Sequence, residues 1–293
     1  MFIIKLLYGS EYMKEHFLKK LLSEFKTNKF ALGALIVIVS LVLASIFAFL
    51  YPVDPNALNP TQRLMTPNFS HPFGTDDMGR DYLARSLYGG RVSLLVGFLA
   101  MILSTIIGVA VGTISGYFGG IVDTILMRIV DILMSLPTFL IMVVMNAYLK
   151  AGVKSVIMII GLLTWMSIAR IVRAETISVK EREFVIYSKI SGEKSLNIVL
   201  LHIIPVIMPT IIVSATINIA SAILMESSLS FFGMGIKPPD ASWGSMLNNA
   251  QGYITEAPYL AIFPGVLIFL TVLSFNFSGD VFRRIFDPST KSD

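Results

Sequence analysis

The chain has 293 residues, 55% of them apolar and only 14% charged, and a strongly positive mean hydropathy; this excludes a soluble enzyme and places it among membrane proteins. It contains no cysteine, which excludes disulfides, thiol nucleophiles and thiolate metal sites while leaving the redox compartment open. The formal net charge of +4 is small, and its distribution among the loops says more than its size.

Residues 1–29 form a long mixed-charge segment, not the short basic stretch, apolar core and cleavage site of a secretory signal, so the first apolar run is expected to be retained. Runs long enough to cross ~30 Å of hydrocarbon, roughly 20 helical residues each, lie near 30–50, 92–116, 122–147, 154–173, 206–230 and 259–280. An all-α membrane protein with six transmembrane helices is the expectation. It divides into an N-terminal segment (1–29), a first span (30–50), an outer loop with an interfacial helix (51–91), a five-span core (92–283) containing an inner loop (174–205), and a tail (284–293). Basic residues mark cytoplasmic loops. Lys14, Lys19, Lys20, Lys26 and Lys29 precede the first span, Arg170, Arg173, Lys180, Arg182, Lys189 and Lys194 lie between the fourth and fifth, and Arg283 and Arg284 close the sixth. Both termini are therefore expected in the cytoplasm.

The outer stretch "HPFGTDDMGRDYLARSLYGGRVSLLVG" (71–97) wedges charge between apolar runs. Thr75 reads as a helix N-cap with Asp76 and Asp77 in the first turn, Asp81 and Arg85 as an i, i+4 pair, and Gly89-Gly90 as a stop, giving a short interfacial helix over 76–88. Arg80, Arg85 and Arg91 are offset by the neighbouring aspartates. In the second span Gly108, Gly112 and Gly116 form a small-xxx-small series that predicts close helix packing. In the third, Arg128 and Asp131 share a helix face, favouring a structural ion pair over an ion relay, and Pro137 predicts a kink.

The inner segment 173–205 is too patterned for a mere connector. Phe184, Tyr187 and Ser191 fall on one helical face, Glu181, Glu183 and Lys189 suit water, and Gly192 breaks the pattern. Two short helices meeting at a glycine either lie on the membrane or fit a groove in a cytoplasmic partner. In the outer loop 231–259, Pro238-Pro239 stops the chain, Ser242 caps a short helix to about Ala250, and Trp243, Tyr253 and Tyr259 suit a membrane interface. Two readings stay open for Glu226, at the end of the fifth span: a polar pathway, or a paired structural carboxylate.

Several chemistries lack their residues. There is no GxxxxGK[ST] phosphate loop and no HExxH, and His16, His71 and His202 fall in different predicted compartments, against a zinc site or catalytic triad. No histidine lies in a predicted span, which sets an intramembrane serine protease well behind transport.

The segments "HPFGTDDMGRDYLARSLYGGRVSLLVG", "MRIVDILMSLP", "ESSLSFFGMGIKPPDASWGSML" and "PGVLIFLTVLSFNFSGDVFRRIFDP" resemble the second of two permease subunits in binding-protein-dependent ABC importers of the dipeptide, oligopeptide and nickel class. That family carries a coupling segment of the form EAA, three residues, Gly, nine residues, I-x-L-P. Gly192 and Pro205 keep this spacing here, with His202-Ile203-Ile204 before the proline and Ile186-Tyr187-Ser188 in place of EAA, leaving open whether Glu183 replaces the missing carboxylate. The resemblance implies a type I ABC importer transmembrane domain, not itself an enzyme, in the plasma membrane. Its implied partners are a homologous permease, two cytoplasmic ATPase subunits that use ATP and magnesium, and an extracytoplasmic solute-binding protein; no nucleic acid is involved. The implied ATPase-coupling residues are Glu183, Phe184, Val185, Ile186, Tyr187, Ser188, Gly192 and Pro205, with Phe184, Val185 and Tyr187 as anchors. A peptide is the leading cargo and nickel or a metal chelate the alternative. Two other classes compete, an ion-gradient-driven secondary carrier and a purely structural membrane subunit.

Overall fold

The computed structural model describes residues 28–149 and 152–286. Lys14, Lys19, Lys20, Lys26, His16 and most of the expected terminal segments 1–29 and 284–293 lie outside the described residues. The rest is helical, with one isolated bridge between Thr75 and Asp81.

Helix α1 (Lys29–Ile46) starts where the Asn28 side chain accepts from the amides of Phe30 (3.1 Å) and Ala31 (3.2 Å), satisfying two donors that have no intrahelical partner. Helix α2 (Tyr82–Phe118) has 37 residues, about 55 Å at 1.5 Å per residue, well beyond the hydrocarbon thickness. Then follow α3 (Gly120–Ser135), α4 (Thr138–Tyr148), α5 (Val153–Lys180), α6 (Glu183–Ile190), α7 (Ser195–Phe231), α8 (Trp243–Ala250) and α9 (Tyr259–Phe286). Five helices are each long and apolar enough to cross a membrane, and α3 and α4, bent by 86°, are so only when taken together. Leu136 is extended there (φ −88°, ψ 141°), as the residue before a proline tends to be, so Pro137 breaks the third span where the sequence predicted only a kink.

The separate interfacial helix expected over 76–88 does not form. Residues 74–80 make a tight turn in which Asp76 Oδ1 accepts from the amides of Met78 (2.9 Å) and Arg80 (3.0 Å), and Gly74 and Gly79 take φ of +76° and +72°. The cap is Asp81, whose Oδ1 accepts from the Ala84 amide at 2.7 Å, rather than Thr75. From there α2 runs unbroken through Gly89-Gly90. These glycines are packing surfaces and not a stop: a Cβ on Gly90 would stand 2.6 Å from the Trp243 ring.

The bundle is built on two close approaches of α2. Added Cβ atoms on Gly108, Gly112 and Gly116 would stand 2.9 Å from Trp165 O, 2.6 Å from Ala169 O and 2.8 Å from Arg173 O, so the glycine series lets the α5 backbone lie directly against α2. The close packing expected of the series is made within this chain, against α5. Higher up, Gly97 sits under Ile223 of α7. The start of α1 packs against the end of α9 through Ala31, Val281 and Ile285, so these two lie at the same end of the bundle as α6.

At the opposite end, the chain between α1 and α2 and the helix α8 form a capped platform. Tyr259 Oη donates to the carbonyls of Met65 and Thr75, both at 3.0 Å, and Phe73 stacks on Phe263 with centroids 3.9 Å apart. Arg80 pairs with Asp76 at 2.6 Å, and Arg85 reaches Asp76 at 3.6 Å and the Asn56 side chain at 3.2 Å. Asp81, expected to pair with Arg85, pairs with His71 at 2.7 Å, because its other oxygen is committed to the helix cap. Burial first, and then the Asp81 carboxylate, push the Tyr51 phenol above its ordinary range, so that ring stays neutral. The charge that interrupts the apolar pattern is thus folded into a small buried domain on the span ends.

Candidate coupling surface

Helix α6 buries one side chain in the bundle. Val185 is 2% exposed and packs with Val179 of α5 and Ile198, Ile203 and Ile207 of α7, which excludes it as an anchor for an outside groove. The residues around it point away. Phe184 is 40% exposed, Ile186 45%, Tyr187 72% and Ile190 79%, four large apolar side chains together on one eight-residue helix and not scattered singly. Glu183 is exposed in the first turn, and the half-buried Ser188 spends its hydroxyl on Phe184 O at 3.1 Å.

Gly192 ends α6 with a left-handed residue. At φ +78° its amide bonds Lys189 O (3.2 Å) while the Glu193 amide bonds Ser188 O (3.1 Å), the paired bonds of a Schellman stop. Nothing lies within 4 Å of a Cβ added there, so backbone conformation, not space, demands glycine. Glu193 then holds His202 at 2.9 Å, tying the turn to the start of α7. Residues Ile198–Ile203 are π-helical just before Pro205, which lacks the N–H that would bond Leu201 O; the wider turn accommodates its ring.

Just above α6, the junction between α2 and α3 is locked to α5. Arg173 makes a two-pronged pair with Asp123 at 2.5 and 2.6 Å, Ser115 Oγ donates to the same carboxylate, and Lys180 Nζ donates to Gly116 O at 2.9 Å. The expected Arg128–Asp131 pair is replaced by Arg170–Asp131 at 2.5 Å, leaving Arg128 exposed, because α3 lies beside α5 and brings a second guanidinium within reach.

Glu226 is fully buried and hydrogen-bonded. It accepts hydrogen bonds from Ser93 of α2 (2.9 Å) and Ser230 (2.7 Å), while Ser93 Oγ in turn accepts the Trp243 amide at 3.2 Å and Trp243 Nε1 donates to Ser86 O at 2.9 Å. This knot joins α2, α7 and α8. Sequence reasoning missed it, as it missed the Asp123–Arg173 lock. It also missed a polar face of α7, Ser214, Asn218 and Ser221, whose i, i+4, i+7 spacing is legible in the chain and which borders a cavity between α5 and α7. Among the described residues, no three His, Asp or Glu side chains converge to hold a metal.

A multi-pass helical membrane protein with a broken third span and a short one-sided helix between its fourth and fifth spans is the class that this architecture defines. The model of the binding-protein-dependent transport system inner membrane component matches residues 108–292, and that of the N-terminal TM domain of oligopeptide transport permease C matches residues 17–67. The chain is 39% identical over 270 residues to the dipeptide transport system permease protein DppC of Alkalihalophilus pseudofirmus, covering 92% of this chain and 89% of that one. It is 38% identical to DppC of Haemophilus influenzae, covering 91% and 93%, and 36% identical to the oligopeptide transport system permease protein OppC of Bacillus subtilis, covering 93% and 90%. The chain belongs to the family of binding-protein-dependent transport system inner membrane components.

Proposed function

We propose that the chain is a permease subunit of an ATP-driven importer of dipeptides or oligopeptides, pairing with a homologous permease. In this reading it hydrolyses no ATP itself. Two cytoplasmic ATPase subunits use ATP and magnesium, an extracytoplasmic binding protein delivers the peptide, and both termini and α6 lie on the cytoplasmic side of the cell membrane. The names of the similar proteins support peptide as cargo; nothing in the comparisons favours nickel, a metal chelate or an ion-gradient carrier.

One observation carries the coupling role: α6 exposes Phe184, Ile186, Tyr187 and Ile190 outward while Val185 fastens it to α5 and α7. An ATPase groove that grips the apolar face therefore moves a body packed onto two spans. Closing of the ATPase pair on ATP then shifts the spans between inward- and outward-open arrangements, provided the groove binds the two with different affinity. Glu183 is a polar neighbour of the gripped face, and the Gly192 stop and Pro205 set the angle at which α6 leaves α7.

The test uses the assembled transporter in vesicles. Tyr187→Asp and Gly192→Pro are expected to insert and assemble normally while losing peptide uptake and peptide-stimulated ATP hydrolysis together. Gly192→Asn, which tolerates positive φ, should retain both. Wild-type coupling in the first two variants would leave α6 a surface-lying linker.

A further inference from the structure

The chain between α7 and α8 touches α7 at two glycines. A Cβ on Gly235 would stand 2.7 Å from the Ser230 backbone, and one on Gly244 2.5 Å from that of Ser227, so both ends of the segment 235–244 lie against the last turns of α7. Between them Lys237, Pro238, Pro239 and Asp240 are exposed. Both ends are also tied to one carboxylate. The Ile236 amide donates to Ser230 Oγ (3.1 Å), which donates in turn to Glu226 Oε1 (2.7 Å); the Trp243 amide donates to Ser93 Oγ (3.2 Å), which donates to Glu226 Oε2 (2.9 Å). We propose that Glu226 is a positioning residue for transport: it fixes the outer segment 235–244 and α8 on α7, so that the outer face follows the movement that α7 receives at α6.

The carboxylate is what makes the two arms compatible. An ionised carboxyl group only accepts, and does so at both oxygens. Each serine therefore points its one hydrogen at Glu226 and keeps a lone pair for an amide of the outer segment. Ser227 Oγ also lies 3.5 Å from Oε2. Glu226 is fully buried, and among the described residues its partners are serines and no cation. A buried charge without a cation is costly to keep, and simple fastening would be served by a neutral side chain. What a carboxamide of the same size lacks is the second acceptor. Its NH2 group would leave one serine hydrogen without a partner and loosen one end of the segment.

Helix α7 joins the two ends of the bundle. Its early turns hold Ile198, Ile203 and Ile207, which bury Val185 of α6, and its last turns hold Glu226, Ser227 and Ser230. A push on α6 is thus delivered to a helix whose far end carries the outer segment. Through Ser93 the same carboxylate ties that end to α2. Contact at Gly235 and Gly244 places the segment on α7, and the two hydrogen-bonded arms give it one orientation there. With one arm gone, the segment no longer has to follow α7.

The inference rests on the peptide-importer reading, and its test separates the two. The chain has no cysteine, so Ser191→Cys at the end of α6 and Asp240→Cys on the outer segment each take a single bimane label in the whole transporter, assembled in vesicles with partner subunits stripped of cysteine. With binding protein carrying trialanine, trapping ATP with vanadate should shift the emission of both labels. In Glu226→Gln the shift at residue 191 should persist and that at residue 240 should be lost, while the trialanine delivered per ATP hydrolysed falls about tenfold, the worth of one hydrogen bond. No trialanine uptake by the wild-type complex, or no shift at residue 191, defeats the importer reading. With uptake and that shift present, a label at residue 240 that never shifts, or that shifts as fully in Glu226→Gln, defeats the inference alone. Loss of both shifts in Glu226→Gln defeats it too, since Glu226 would then only support the fold. If Glu226→Gln fails to assemble, Ser230→Ala, which removes the Ile236 arm, is read in the same way.

Discussion

Val185 and its neighbours show how one residue position divides fastening from docking. Its side chain is buried among Val179, Ile198, Ile203 and Ile207, and Phe184 and Ile186 on either side of it are exposed. A carboxylate at Val185 has no cation in that apolar nest and is expelled, taking α6 with it. Val185→Asp is therefore expected to insert in the membrane yet become sensitive to brief trypsin treatment at Arg182 and Lys189, whereas Phe184→Asp should keep α6 seated. Equal protease resistance in the two would show that α6 is held by something other than Val185. At the buried knot, Ser93→Ala removes a donor to Glu226 and the acceptor of the Trp243 amide, which should cost about 1–3 kcal/mol and lower the melting temperature of the detergent-purified protein. The residue types in the inner segment were legible, since Gly192 and Pro205 stand out in any reading. The direction of Val185 was not, because it depends on residues of α7 that the helical pattern of 183–190 does not contain. Ser93 and Glu226, separated by 133 residues, were out of reach for the same reason.

Among elements, the glycine seam makes the sharpest prediction. A Cβ on Gly112 would meet Ala169 O at 2.6 Å and Val172 at 2.8 Å, backbone and a β-branched side chain that cannot swing aside. Gly112→Leu should force α2 from α5 within one chain, costing about 1–3 kcal/mol or more from overpacking, and should lower the yield of folded subunit even when the partner permease is absent. Normal thermal stability of the lone subunit, with loss confined to pairing, would place the seam at the subunit interface instead. The four-residue spacing announced close packing, but spacing on one helix does not name its partner. Gly89-Gly90 failed in the other direction: a glycine pair that stops a helix and one that receives a tryptophan look alike locally, and Trp243 lies 153 or more residues further along. Pro137 was read correctly as a disturbance. Whether it kinks or breaks a helix is decided by what the freed segment packs against, here Met142 of α4 among Val96, Ile159 and Leu229.

The whole molecule carries its basic residues asymmetrically. At the platform end Arg80 and Arg85 are 7% and 2% exposed and held by Asp76 and Asp77, while Arg63, Arg91, Lys154 and Lys237 stand exposed. The α6 end carries more basic residues, Arg170, Arg173, Lys180, Arg182, Lys189, Lys194, Arg283 and Arg284. Basic residues near the span ends mark the cytoplasmic side, so the α6 end, with the start of α1 and the end of α9, is predicted to face the cytoplasm. The absence of cysteine makes this directly measurable with single thiols at exposed positions. In intact cells Ser70→Cys should react with an impermeant maleimide, and Ser191→Cys only after the membrane is permeabilised. The two residues lie at opposite ends of the bundle, so a reversed pattern would invert every span at once. It would put α6 on the side where no ATP is available, and the coupling proposal would fall with it.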